Sequence, residues 1–258
     1  MRCSVCVMLF SALTVTDQVA QVGQGPNLYS REKEVALGKA LAAQVQRRVA
    51  PLDSPVALEF VQRVGAKLAA QLPEPRYTYT FALTSGDQSN VLHEPLSLPG
   101  GFIFVPASLF RAAQNEAEFA GMLAHAMAHV ADRDGTRAAS RTEISQMNTI
   151  PLIFYGGWAG FGARQASAVA IPLSMVQFER QYELEADQLA VKVTSAAGYD
   201  PQALVNYFGR VWPDNAPDAD SRDGRIAAMQ RAIQQLAPAT STDEFLRIQE
   251  QVRGLTQN

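Results

Sequence analysis

The sequence has few cysteines and no surplus of basic residues. Its 258 residues contain two cysteines, Cys3 and Cys6, both close to the N-terminus, so a disulfide framework is excluded. With 22 Lys and Arg against 25 Asp and Glu, the chain lacks the excess positive charge that binding to a nucleic-acid backbone requires. Hydrophobic residues make up 47% and charged residues 18% of the chain. This composition excludes a disordered protein and favours a globular domain.

The N-terminal segment has the layout of an export signal. Arg2 precedes an apolar run from Val5 to Val15, and a positive start followed by about 7–15 apolar residues is typical of a secretory signal peptide. The run is too short for a transmembrane helix, which needs about 20 residues. We therefore expect 1–20 to be a signal peptide, 21–258 to be the mature domain, and the protein to be periplasmic or otherwise exported. A buried N-terminal segment of the mature protein is the alternative.

Helix start signals recur along the chain. Ser30 and Ser54 each precede apolar residues at helical spacing, and Pro55 stands at a first helical turn. Asn115 and Glu118 have the spacing of a capping box and predict a helix to about Arg133. Later helices are predicted near 174–197, 201–211, 222–236 and 242–254.

Two segments predict β-strands. Residues 76–83 alternate and are rich in aromatic residues and threonine, while 102–105 follow a Pro-Gly-Gly turn. Since no helix pattern fits between these two strands, we expect them to pair antiparallel. The predicted fold class is α+β, mostly α, as a single domain with a small antiparallel sheet.

A stretch without charged residues, 144–163, follows the helix that contains the histidines. Its glycines, proline and amide side chains favour a loop with short helical pieces over a membrane span. We expect no integral membrane span, and a membrane-surface contact through 144–177 stays open.

Two of the three histidines lie four residues apart. His125 and His129 fall in the helix that Asn115 begins, so both imidazoles project from one face and can converge on one ion. This is the spacing of the zinc-peptidase pattern HExxH. Two core histidines bonded to backbone carbonyls are the alternative.

A second predicted helix carries a carboxylate pair. Glu183 and Asp187 share one face of it, and such a pair can ligate a metal with one member and orient a ligand histidine with the other. A solvated acidic helix face is the alternative.

The run from Glu116 to Val130, followed by Arg133, resembles the active-site helix of the HtpX and CAAX-prenyl-protease family of zinc metallopeptidases. Its soluble periplasmic BepA-like branch is the most similar. Segments 98–105, 180–187 and 197–201 match further motifs of that family in the same order. The resemblance implies a zincin-like domain of the gluzincin type that acts on extended or misfolded polypeptides.

The resemblance also implies the roles of individual residues. His125, His129 and Glu183 would hold one Zn²⁺, and Asp187 would orient a ligand histidine. The strand beside the cleft would bind an extended polypeptide by β-augmentation. The residues of this expected edge strand are Gly101, Phe102, Ile103, Phe104 and Val105.

The chain departs from the family pattern at four places. Ala126 stands where HExxH has the glutamate that takes a proton from zinc-bound water. Asp134 replaces a histidine, and Glu94-Pro95 replaces an Asn-Ala pair. A Thr-His-Pro motif expected between Trp212 and Arg225 is missing. An engineered inactivation or a natural pseudoenzyme would explain Ala126, and the number of departures favours natural divergence.

We therefore expect a zinc metalloendopeptidase by family that is inactive or strongly impaired because Ala126 accepts no proton. The alternatives are a zinc-holding pseudopeptidase that binds polypeptides in a chaperone-like way and a helical protein without metal. His93, just before the altered pair, is a solvated loop residue, a substrate contact or a fourth ligand.

Overall fold

The computed structural model describes residues 25–74, 77–85, 92–149, 180–213, 219–236 and 244–255. The expected signal peptide and most of 144–177 lie outside the described residues. The helices are α1 (Arg31–Gln46), α2 (Pro55–Ala69), α3 (Ala107–Ala112), α4 (Glu116–Ala131), α5 (Asp134–Thr149), α6 (Arg180–Ala196), α7 (Gln202–Val211), α8 (Ala219–Ile233) and α9 (Glu244–Leu255). The strands are β1 (Thr80–Thr84), β2 (Leu96–Leu98) and β3 (Phe102–Pro106). None of the described helices is both long enough and apolar enough to cross a membrane.

The helix starts predicted at Ser30, Ser54 and Asn115 are confirmed, and the start predicted near 174 lies outside the described residues. The side chains of Ser30, Ser54 and Asn115 cap α1, α2 and α4 by accepting hydrogen bonds from backbone N–H groups three residues later. Glu118 departs from a reciprocal capping box, since its carboxylate accepts from the N–H of Gln114, at 2.8 Å, and not from that of Asn115.

Helix α4 lies at the centre of the core. Every residue from Glu116 to Val130 is buried, and helices α2, α6 and α7 pack around it. A Cβ atom on Gly121 would lie 3.0 Å from the Cβ of Leu204, so the absence of a side chain there lets α7 approach closely. A helix buried on all sides holds its side chains in fixed positions, which is what a site built on it needs.

The small sheet is mixed, and the expectation of an antiparallel sheet is wrong. Its order is β1-β3-β2, with β1 parallel and β2 antiparallel to β3. The three-residue strand β2 is too short to give a sequence pattern. It turns through 99–101 into β3, so β3 runs antiparallel to β2 and then aligns with β1 in the same direction.

Because β3 is paired along both sides, the expectation that Gly101–Val105 forms an edge strand is also wrong. In the described part of the chain no strand pairs with the outer side of β2, which packs against α4. Any extended segment that joins this sheet next to α4 therefore adds to β2.

Helix α1 fixes the turn between β2 and β3. Gly100 has φ of 76°, a conformation that favours glycine. A Cβ atom on Gly38 would lie 1.8 Å from the carbonyl oxygen of Pro99. The backbones of α1 and the turn are thus in direct contact, and this contact positions β2.

Helix α5 begins directly after Arg133, the predicted end of the helix that contains the histidines. Arg133 has φ of 63° and reverses the chain between α4 and α5, and its guanidinium donates to the carboxylate of Glu34 at 2.9 and 3.0 Å. Residues 144–149, the first part of the segment expected to be a loop with short helical pieces, continue this helix. The reversal brings Asp134, the first residue of α5, back towards His129 on α4.

Candidate metal centre

The two histidines of α4 converge. His125 and His129 are both buried, and their Nε2 atoms lie 3.1 Å apart. Their rings are nearly perpendicular, at 85°. Two imidazole nitrogens on neighbouring turns of a rigid helix thus point to one small volume.

Two carboxylates from other elements face the same nitrogens. Glu94, just before β2, places Oε1 3.4 Å from Nε2 of His125 and 3.8 Å from Nε2 of His129. Glu183, in the first turn of α6, places Oε2 3.5 Å from Nε2 of His125 and Oε1 3.7 Å from Nε2 of His129. Both glutamate side chains are about one-fifth exposed, at 19% and 18%.

A buried carboxylate lies at the other nitrogen of each imidazole. Nδ1 of His129 lies 2.7 Å from Oδ2 of Asp134, and Nδ1 of His125 lies 3.0 Å from Oδ1 of Asp187. A carboxylate at Nδ1 favours the tautomer whose Nε2 carries a free lone pair, which is the form that binds a metal ion. Both side chains therefore orient the histidines towards the central volume.

Arg225 on α8 joins Asp187 and Glu183. Its guanidinium makes a bidentate pair with Asp187, at 2.6 and 2.8 Å, and lies 2.9 Å from Oε2 of Glu183. The group is buried and lies over the rings of Phe208 and Trp212, with its Cζ 4.8 and 5.6 Å from the ring centroids. The planar guanidinium group of arginine is suited to bidentate pairing with a carboxylate and to stacking on aromatic rings.

Arg137 plays the corresponding part on the side of His129. It donates to Oδ1 of Asp134 at 3.0 Å and to Glu185 at 3.2 Å. Its guanidinium also lies over the ring of Tyr182, 4.8 Å from the centroid. Each orienting carboxylate of the centre is thus held by a buried arginine.

The electrostatics of the centre favour a cation. Five carboxylates and two guanidinium groups surround the imidazoles, which leaves a net charge of −3 when both histidines are neutral. Burial lowers the pKa of His125, but Glu94, Asp187 and Glu183 raise it well above its ordinary value. Burial raises the pKa of Glu183, but contacts with both histidines and Arg225 lower it to about 2. A divalent cation would offset this negative charge.

The donor set fits zinc. Among the described residues, a cluster able to hold a metal ion consists of Glu94, His125 and His129. In a tetrahedral site with bonds of about 2.0–2.1 Å, ligand atoms lie about 3.3 Å apart, close to the 3.1, 3.4 and 3.8 Å that separate these three donors. Glu183, predicted as a ligand from sequence, lies at similar distances from both imidazoles.

Two further residues that the sequence analysis singled out are Ala126 and His93. Ala126, which directly follows His125 on α4, is fully buried. His93 has φ of 51° and is half-buried, and it is not part of the described three-residue cluster. Its role as a contact or ligand stays a prediction, and on this segment the side chain of Glu94 reaches the imidazoles.

Sequence reasoning noted Glu94 and Asp134 as departures but gave them no role at the metal, and it missed Arg225. For Glu94 and Asp134 a signal was available, because each is an acidic residue at a position where the metallopeptidase motif has a different residue. For Arg225 there was none, because α8 contains three arginines with nothing in their spacing to select one.

A family model supports the assignment of this fold. Residues 57–247 match peptidase family M48, and the chain belongs to that family. The resemblance to these zinc metallopeptidases, drawn from the sequence motifs, is confirmed.

Curated relatives agree at low identity. The beta-barrel assembly-enhancing protease of Yersinia pestis is 24% identical over 247 residues, which cover 88% of this chain and 49% of that protein. The protein of the same name from Escherichia coli K12 is 24% identical over 208 residues, 78% of this chain and 41% of that protein. The mitochondrial metalloendopeptidase OMA1 of Saccharomyces cerevisiae is 23% identical over 193 residues, 70% of this chain and 54% of that protein. The chain spans about half the length of these relatives.

Proposed function

We propose that this protein is a zinc-binding M48 metallopeptidase whose hydrolysis of polypeptides is strongly impaired. The observation that carries the proposal is the convergence of His125 and His129 with Glu94 and Glu183, 3.1–3.8 Å apart, on a buried helix. A bound zinc ion would supply a Lewis acid at this point. Asp187 and Asp134 hold the imidazoles in the orientation that the ion needs.

Ala126 is one cause of the impairment. Its methyl group accepts no proton, and a positioned general base contributes about 10²–10⁴-fold to such a reaction. Family membership and the names of the relatives, which are proteases, support polypeptides as the substrates. The signal-like segment of 1–20 supports an exported, periplasmic location.

An extended polypeptide would bind beside β2. This strand packs against the helix that carries both histidines, and its outer side has no strand partner among the described residues. Backbone hydrogen bonds to an unpaired sheet edge are a common way of binding extended peptides.

A second candidate is a zinc-holding pseudopeptidase that binds polypeptides without cleavage. Glu94 favours it, because a fourth protein side chain faces the position where a hydrolytic centre holds water. The two candidates differ in whether the centre can be returned to activity.

The test is cleavage of unfolded casein by the wild type and by a double variant, Ala126→Glu with Glu94→Ala. We expect cleavage by the double variant to exceed that of the wild type at least about a hundredfold and to stop when a chelator is added. The matched control carries Ala126→Gln with Glu94→Ala, since glutamine has the same shape but accepts no proton at neutral pH. A double variant that binds zinc and casein but cuts nothing would support the pseudopeptidase.

A further inference from the structure

We infer that Glu94 and Glu183 both bind the metal, so that the centre has four protein ligands and no open position. The inference rests on the proposed zinc site and adds a claim about its coordination. It assigns Glu94 as a ligand that closes the site, in place of a water molecule.

The first argument is the equivalence of the two glutamates. Oε1 of Glu94 lies 3.4 and 3.8 Å from the two Nε2 atoms, and Glu183 approaches them with Oε2 at 3.5 Å and Oε1 at 3.7 Å. Together with the 3.1 Å between the imidazoles, five donor–donor distances are close to the edge of about 3.3 Å in a tetrahedral zinc site. Glu94 thus comes as close to both imidazoles as Glu183 does, and it does so with a single oxygen atom.

The second argument is that the segment carrying Glu94 is anchored. The carbonyl oxygen of Leu92 accepts a hydrogen bond from the hydroxyl of Tyr207, a fully buried residue of α7, at 2.8 Å. Pro95 follows directly and fixes its own φ, and β2 then pairs with β3. Glu94 is therefore held between two fixed points, as a metal ligand must be.

The third argument is charge. Arg225 neutralises part of the charge of Glu183 and Asp187, and Glu94 adds a further carboxylate at the imidazoles, on the segment before β2. Two carboxylates and two neutral imidazoles compensate a divalent cation fully. Closed zinc sites with four protein ligands are structural, and catalytic ones keep a position for water. A closed site has no water to activate, so it needs no base at Ala126.

The test uses Co²⁺ in place of Zn²⁺ in the full-length protein, because the visible spectrum of Co²⁺ reports its ligands. We expect the wild-type spectrum to be unchanged by azide, since no position is open. Glu94→Ala should give a spectrum that shifts with azide. Its zinc affinity, measured by competition with a chelator, should fall at least about tenfold.

Two variants control for folding. Glu94→Gln keeps the size of the side chain and should also weaken zinc binding. Glu59→Ala removes a carboxylate at an exposed position of α2 and should retain wild-type affinity. A wild-type cobalt spectrum that shifts with azide, or equal zinc affinity in Glu94→Ala and the wild type, would overturn the inference.

These outcomes are separate from those of the proposed function. Failure of the wild type to bind zinc, or retention of zinc by His129→Ala, would overturn the zinc site itself. Zinc that is bound, lost on His129→Ala and insensitive to both Glu94 variants would overturn only the fourth ligand.

Discussion

Glu94 and Glu183 face the same atom, Nε2 of His125, at 3.4 and 3.5 Å. Glu94 precedes a short strand and Glu183 lies in the first turn of helix α6, so the fold brings them together at α4. In the zinc-peptidase pattern HExxH a glutamate follows the first histidine, and here that position holds Ala126. The chain therefore retains acidic side chains at the centre, but they come from elements other than the histidine helix.

The contact of Arg225 with Asp187 and Glu183 should matter for metal binding. Arg225→Gln removes the bidentate pair and leaves a buried carboxylate without its cation. We expect zinc affinity to fall about 10–100-fold, the usual effect of losing a group that orients metal ligands. Arg231→Gln, an exposed residue of the same helix, is the matched control. Competition with a chelator measures both, and equal affinities would contradict the role of Arg225.

Asp132 should make stability depend on pH. Its carboxylate is buried, without a hydrogen-bond partner in the described structure, and burial together with Asp134 and Glu185 raises its pKa to about 8. The unfolded chain loses this proton near pH 3.8, whereas the folded protein keeps it until about pH 8. The contribution of protonated Asp132 to the free energy of unfolding is therefore complete below pH 4. It is lost as the pH rises to 8, by about 1.4 kcal/mol per pH unit.

The measurement is urea unfolding of the wild type and Asp132→Asn at pH 5, 6, 7 and 8, at constant zinc concentration. Asparagine does not titrate, so the difference in free energy of unfolding should move in favour of the variant as the pH rises. A difference that stays constant over this range would show that Asp132 is ionised in the folded protein.

Gly38 should be intolerant of a side chain. A Cβ atom there would lie 1.8 Å from the carbonyl oxygen of Pro99 and 2.9 Å from the ring of Phe102, so Gly38→Ala must separate α1 from the turn. We expect a destabilisation of about 1–3 kcal/mol, typical of overpacking. In Gly209→Ala, within α7, the new methyl group meets nothing within 4 Å and should stabilise by about 0.5–1 kcal/mol. Thermal unfolding of both proteins checks this, and destabilisation of similar size in the two variants would contradict it.

The sequence predicted what depends on local pattern. Caps at Ser30, Ser54 and Asn115 placed three helices, and the four-residue spacing of His125 and His129 placed the centre. These features can be predicted from the sequence because the two residues of each interaction are only three or four positions apart.

Features that depend on distant contacts were not predictable in the same way. The parallel pairing of β1 with β3 depends on β2, whose three residues carry no pattern. Glu94 and Arg225 reach the centre from segments about 30 and 100 residues away from His125, and their positions follow from packing against α4 and α6. Neither a three-residue strand nor a contact between residues far apart in the chain produces a periodic pattern in the sequence.

The most direct test of the account is the zinc content of the purified protein. Two imidazoles and a carboxylate on a rigid, net negative centre predict about one zinc ion per chain, lost in His129→Ala, with a melting temperature that falls when zinc is removed from the wild type. Metal analysis by mass spectrometry, paired with thermal unfolding, gives both quantities. A wild-type protein that binds no zinc and melts at the same temperature with and without it would contradict the account.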